Sequence, residues 1–393
     1  MILLIHITKG EDVFDMKKVS VLDLGSSKIR VAILGINSKD YNIVGYGECE
    51  YAGFCEGEFL EEDSLKYALS MAISNAEASA GFHIKSLYLA LPAEFLTIVN
   101  KTATLQFDSK KKVLQEDIVL LKDQANDFKY NNDLTLIDVA EIEYIFDNGK
   151  KNINPIGQKT EKLTANLSYQ LADTKKISLL NKIFEELGLV SVEYLSAPLC
   201  QSLYLLDDTI RKDYAILIDC GYITTHVAIS KGNGLLYLGC FSVGGGHIMA
   251  DLAECLKIGY NDAETLKRKL VLSVNDDNQE YELPGGTKIP AGLASDIALS
   301  RIEMICQIIE KSIEMSNINY PKYFPVYLTG GGLSIIKGAK EEISKLLGRN
   351  IEIINGNLPQ FTRPFSSSLV ALCECAYNKT KSTKNSFFSK FFN

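Results

Sequence analysis

VSVLDLGSSKIRVAILGI (19–36) and YAILIDCGYITTHVAISKG (214–232) share one pattern. In each, an apolar strand ends in Asp-x-Gly, hydroxyl residues follow, and a second apolar strand begins. Runs of Val, Ile and Leu bounded by a glycine turn predict two hairpins of buried strands. Asp23 and Asp219 lie 196 residues apart, about half of the 393-residue chain. A repeat at that scale predicts two similar α/β domains rather than a solenoid.

The turns themselves carry chemistry. A tight glycine turn at a strand end brings backbone N–H groups close to phosphate oxygens. Gly25 and Gly221 supply the turns, Ser26, Ser27, Thr224 and Thr225 add hydroxyl donors, and Lys28 adds a cation. A carboxylate there repels phosphate but can hold Mg²⁺ or its waters, or orient an attacking water. Asp23 and Asp219 are therefore the catalytic candidates. Two such turns facing one another would clamp a polyphosphate between domains. A third segment, VYLTGGG (326–332), places Gly330, Gly331 and Gly332 between a strand and a helix. Its backbone can approach a flat ligand such as adenosine.

The remaining pattern fills in the domains. An Ala/Leu-rich helix covers 63–80, capped by Asp63 or Ser64, and SLYLAL (86–91) is a buried strand. Residues 95–172 change character, with strand-like runs around one helix near 115–128 and a polar loop at 147–161. Helices are expected at 175–188, from Pro198, after Gly246 and at 262–270. A hairpin is expected around Pro284-Gly285-Gly286. A long helix at 291–316 carries Ile302, Ile305, Ile309 and Ile313 on one face. IIKGAKEEISKLL is read as the next helix.

Composition limits the function. The charged fraction is 23% and the net charge is −8. A mildly acidic chain gives nucleic acid no electrostatic support. Nine cysteines are scattered without a CxxC pair, as in reduced, buried thiols. Cys220, His226, Cys240 and His247 match no common zinc spacing, so no direct metal site is expected. No apolar run reaches the ~18 residues of a membrane span. MILLIHI at the N-terminus lacks the basic flank of a signal peptide, and residues 1–16 are read as an extension.

Taken in order, DLGSSK (23–28), DCGYITT (219–225) and LTGGG (328–332) are similar to the two phosphate segments and the adenosine segment of the actin, Hsp and sugar-kinase superfamily. Within it the chain resembles the FtsA family of bacterial cell division proteins. Residues 56–92 resemble that family's first-domain helix and strand. Asn154-Pro155-Ile156-Gly157 with Lys162-Leu163 resembles its NPxGMxGxRL stretch. Val243-Gly244-Gly245-Gly246-His247-Ile248 resembles VGGNHIT, and Ala263-Glu264-x-x-Lys267 and Arg301-x-Glu303 also fit.

The resemblance implies an actin-like fold of duplicated ribonuclease-H-like domains around an interdomain ATP cleft, with an FtsA-type insertion. Subdomain 1A would span 17–94 and 175–209, inserted 1C 95–174, 2A 210–250 and 325–378, and 2B 251–324. ATP with Mg²⁺ would be held by both turns, Gly245, Glu264, Lys267 and the glycine triplet. The family polymerises, binds the C-terminal tail of FtsZ through 2B, here at Arg301 and Glu303, and meets later divisome proteins through 1C. It works at the division site, on the cytoplasmic face of the cell membrane.

The chain departs from the family at DIGGGTTD, which here reads Asp219-Cys220-Gly221-Tyr222-Ile223-Thr224-Thr225-His226. Two glycines and one acid are replaced. The inserted-module motif has Gln158, Thr160 and Lys162 where the family has Met, Gly and Arg. At most slow ATP hydrolysis is expected. A nucleotide-degenerate paralogue or a pilus-assembly protein of the same fold remains an alternative reading. A small-molecule kinase would need a substrate base that has no signature here.

The end of the chain, NKTKSTKNSFFSKFFN (378–393), reads as a polar linker followed by an amphipathic tail. Phe387, Phe388, Phe391 and Phe392 fall on one helical face, with Lys390 among them and Lys379, Lys381 and Lys384 before them. Such a basic, aromatic helix lies in an anionic lipid interface.

Overall fold

The computed structural model describes residues 16–37, 39–128, 133–272 and 279–389, with the side chains of 382–389 excluded. MILLIHI, Lys390, Phe391 and Phe392 lie outside the described residues, and Phe387 and Phe388 are described by backbone alone.

The repeat in the sequence is a repeat in topology. One five-stranded sheet runs in the order Ser191–Ser196, Ser86–Leu91, Lys17–Leu24, Lys28–Ile36, Tyr41–Glu50. The other, read from its opposite edge, is Ile351–Ile353, Val326–Thr329, Ala215–Cys220, Thr225–Lys231, Gly234–Phe241. In each, three consecutive strands pair antiparallel and two more join in parallel. Even the register repeats. Asp23 faces Arg30 and Leu24 faces Ile29, while Asp219 faces His226 and Cys220 faces Thr225.

Apolar residues without alternation bury both faces of a strand. Leu22 and Leu24 pack with Leu65 and Leu69 of the helix Glu62–Ala80. Val19 and Val21 face the other way, into a core shared by both halves. That core joins Leu205 of the helix Ala197–Leu205, Leu217 and Tyr327 of the second sheet, and Leu369 and Leu372 of the last helix, Ser367–Ser389.

A third, separate sheet is built from Leu96–Lys112, Lys159–Asp173, Leu134–Phe146 and the short Lys151–Asn152. Its own core holds Tyr144, Leu163, Tyr169 and Leu121. It also grips the second half. Ser168 Oγ donates to the Leu235 carbonyl at 2.7 Å, and Asn100 Nδ2 to the Leu236 carbonyl at 2.7 Å. The Asn233 N–H donates to the Glu141 carbonyl at 2.9 Å, and Lys231 pairs with Glu143 at 2.9 Å.

Several local expectations change. The helix Glu62–Ala80 has Glu61 at its N-cap with no side-chain cap. Ser64 Oγ instead accepts the Ala52 N–H, which ties the helix to the preceding turn. The helix in IIKGAKEEISKLL begins only at Ala339, because Gly338 sits at φ +83, a conformation that interrupts a helix. The polar stretch read as a linker continues the last helix to Ser389. Its first lysine is not spare positive charge. Lys379 pairs with Glu193 at 3.3 Å and Asp138 at 3.6 Å, on two different sheets. Among the described residues no helix is long and apolar enough to cross a membrane.

Candidate functional site

Both Asp-x-Gly turns close in the same way. The Gly25 N–H donates to the Lys28 carbonyl at 3.1 Å, and the Gly221 N–H to the Thr224 carbonyl at 2.8 Å. The halves are oriented so that these turns meet. The Ile223 N–H donates to Ser26 Oγ at 3.1 Å.

Two further glycine segments pack onto the second turn. The Gly245 N–H donates to the Gly221 carbonyl at 2.9 Å, the Gly246 N–H to the Tyr222 carbonyl at 2.7 Å, and the Gly332 N–H to the Cys220 carbonyl at 2.7 Å. A Cβ on Gly332 would lie 2.4 Å from the Gly221 carbonyl oxygen. Gly330 has φ +85, and a Cβ there would lie 2.1 Å from Asp219 Oδ1. These two glycines therefore serve the chain's own packing. Gly331 instead meets Phe365, with 2.9 Å between its ideal Cβ and Phe365 Cβ, and Phe365 is exposed.

The aspartates have different surroundings. Asp23 is buried, with Oδ1 accepting from Ser368 Oγ at 2.7 Å and Oδ2 from Arg30 at 3.3 Å. Burial pushes its carboxyl above the usual range, against the pull of Arg30 and Ser368. Asp219 Oδ2 accepts from Gln201 Nε2 at 2.5 Å. Across the hairpin, burial pulls the His226 imidazole below its ordinary pKa, partly offset by Asp219. His226 Nε2, Gln201 Oε1 and Ser202 Oγ are buried without a partner among the described residues. Buried polar atoms left unpaired around a carboxylate favour a polar occupant.

Glu264 and Lys267 join this assembly. Their ion pair is 2.7 Å long, and Lys267 is 2% exposed. Lys267 Nζ also donates to the Gly245 carbonyl at 3.2 Å and lies 5.5 Å from the centre of the Tyr222 ring. Other candidates are committed elsewhere. Lys28 pairs with Glu48 at 2.8 Å on the rim, and Thr225 Oγ1 donates to the Val243 carbonyl at 2.6 Å. Thr224 contributes its carbonyl to the turn, and Ser27 accepts the Tyr51 N–H.

A second bridge joins the halves nearby. Ser242 Oγ accepts the Glu56 N–H at 2.9 Å and donates to Glu94 Oε1 at 2.6 Å, and Glu94 Oε2 accepts the Gly57 N–H at 3.0 Å.

The residues that sequence reasoning missed are Arg30, Gln201, Ser368 and Phe365. Arg30 was within reach, because the 196-residue offset pairs it with His226. The other three arrive from helices and loops with no local motif. The proposed partner residues point apart. Arg301 forms a two-pronged pair with Asp251, at 2.6 and 2.8 Å, while Glu303 lines a groove with Cys306, Glu310 and Leu347.

Known proteins share this architecture. The family model for cell division protein FtsA matches residues 216–371. FtsA of Streptococcus pneumoniae serotype 2 is 22% identical, covering 92% of this chain and 80% of its own length. FtsA of Escherichia coli K12 is 24% identical, covering 82% and 80%. Among solved structures, the PilM-PilN type IV pilus biogenesis complex aligns with TM-score 0.62 at 15% identity, over 92% of this chain and 99% of that one. MreB5 of Spiroplasma citri bound to AMPPNP aligns with TM-score 0.55 at 12% identity, over 94% and 99%. With its two equivalent sheets and facing turns, the chain has the actin-like fold, and it is similar to cell division protein FtsA over most of its length.

Proposed function

We propose that this protein is a division-site scaffold that holds an adenine nucleotide between its halves, assembles with copies of itself, and ties FtsZ to the cytoplasmic face of the membrane. The meeting of two equivalent Asp-x-Gly turns at 3.1 Å, one from each half, is the observation that carries the reading. It supports a nucleotide whose phosphates touch both turns and whose base lies toward Gly331 and Phe365, with Glu264 and Lys267 beside the second turn. The unpaired Gln201 Oε1 and His226 Nε2 beside Asp219 fit the waters of a phosphate-borne Mg²⁺. ATP with Mg²⁺ would supply a polyanion that draws both halves together.

Fast hydrolysis finds little support. Both oxygens of Asp23 are engaged by Arg30 and Ser368. Tyr222 and Ile223 bring side chains where unhindered backbone donors would stabilise transition-state charge. For the FtsZ tail, Arg301 is available only at the expense of its Asp251 pair. For the membrane, the contact would come from Phe387, Phe388, Lys390, Phe391 and Phe392. Later divisome proteins would meet the inserted sheet.

Reconstitution tests the whole reading. The protein, FtsZ and vesicles containing anionic lipid are mixed, and FtsZ sedimenting with lipid is measured. FtsZ should reach the vesicles only when the protein is present, and Phe388→Asp with Phe391→Asp should abolish that recruitment. Failure of the parent protein to recruit FtsZ would refute the scaffold role.

A further inference from the structure

We infer that Ile223 sets the number of phosphates the cleft accepts, so that the site holds a nucleoside diphosphate in preference to a triphosphate. This rests on the nucleotide reading above and adds to it a rank order that the reading alone does not contain.

The geometry concerns the place where the two turns meet. Ser26 Oγ and the Ile223 N–H are joined at hydrogen-bond distance, 3.1 Å. A phosphate gripped from both sides needs its own oxygens at about 2.8–3.0 Å from a donor on each flank. The two donors must then stand well apart, not touch. A nucleotide with its base toward Gly331 and Phe365 runs its phosphate chain toward the turns. Two phosphates would find room along the turns, whereas a third would have to enter between them.

Entry of that third group has to break the Ser26–Ile223 hydrogen bond and lift the Ile223 side chain. Ile223 Cδ1 is wedged at the first half, 2.9 Å from the ideal Cβ position of Gly53. The second turn cannot recoil to make space. The Tyr222 carbonyl accepts the Gly246 N–H at 2.7 Å, its ring abuts Gly246, and the Lys267 ammonium lies over that ring. The Ser242 bridge to Glu94 and Glu56 resists opening of the halves as well. A glycine at position 223 would have no wedge, leaving the space beside Gly53 free for a triphosphate while the turn stays where it is.

Titration of the full-length protein with ADP, ATP and AMPPNP, each with and without Mg²⁺, tests this by calorimetry. ADP should bind the parent at least about ten-fold more tightly than AMPPNP. In Ile223→Gly that gap should shrink to less than about three-fold, chiefly through tighter AMPPNP binding. Ile223→Ala, which keeps the N–H and the backbone restriction but removes the wedge, should give an intermediate gap. A parent that binds AMPPNP as tightly as ADP overturns the proposal. So does an unchanged gap in both variants when their melting is as cooperative as the parent's. Absence of binding by any of the three nucleotides, in parent and variants, refutes the nucleotide reading itself and the rank order with it.

Discussion

At the end of the first hairpin Asp23 faces Arg30, and at the same register of the second hairpin Asp219 faces His226. The backbones of the two turns are alike to the individual hydrogen bond, yet the charges behind them are not. In the first half a buried acid pairs with a half-buried base, with Ser368 completing the acid's partners. In the second, the acid has a neutral amide from Gln201 and a buried imidazole whose Nε2 has no partner among the described residues. Turn geometry is dictated by glycine and by strand register. The chemistry beside it is dictated by one cross-strand residue. The repeat shares the first and not the second, so the two ends of a shared cleft can carry unequal roles.

The largest test of this contrast compares the residues that follow the parallel partners of the aspartates. Those partners are Ala90 for Asp23 and Thr329 for Asp219, and the next residues are Leu91 and Gly330. Gly330→Val forces a branched residue into φ +85 and onto Asp219. It should cost about 4 kcal/mol in urea unfolding. Leu91→Val, in the buried but unstrained equivalent, should cost about 1 kcal/mol. Similar losses at the two positions would mean that the halves are packed alike.

A smaller difference is expected at the acids. Asp23→Asn leaves the half-buried Arg30 charge with only Glu48, at 4.0 Å, and should destabilise by roughly 2 kcal/mol. Asp219→Asn keeps a hydrogen-bond acceptor for Gln201 and should cost less than about 1 kcal/mol. Equal costs would remove the distinction between a charge-paired and an amide-paired aspartate.

The smallest effect is a pH dependence confined to the second half. Burial lowers the pKa of His226 below the ordinary 6.5, so the unfolded chain binds its proton first. Stability from this group is therefore complete above pH 6.5 and falls as pH drops toward the folded value. The slope is at most about 1.4 kcal/mol per pH unit. Urea unfolding between pH 7.5 and pH 5 should show a component that His226→Gln removes. A profile unchanged by that substitution would show that His226 is not buried as a neutral ring.

Much of this architecture was legible because it rests on local chemistry repeated twice. The strand pattern around Asp23 and Asp219 predicted two hairpins, and sheet order and register repeat as that offset requires. The glycines were recognisable as necessary, but their reason was not. Gly330 and Gly332 yield to neighbouring protein backbone, a tertiary fact that no turn motif encodes. Gln201 and Ser368 reach the aspartates from helices far along the chain, where sequence spacing carries no information about distance. The last helix overran its expected end. Asn378, Lys379 and Thr380 looked like linker, yet Thr380 is buried and Lys379 is held by acids on two other sheets.

The grip of the inserted sheet on the hairpin 225–241 has a mechanical consequence. The halves are joined once through the shared helices and again through this sheet, so they form a closed linkage and not two shells on one hinge. Opening at the turns cannot occur without carrying the inserted sheet along. Its strand Leu96–Lys112 has 17 residues, roughly 55 Å of extended chain at about 3.3 Å per residue. A change in the spacing of the two turns is thereby a strain on the inserted sheet as well.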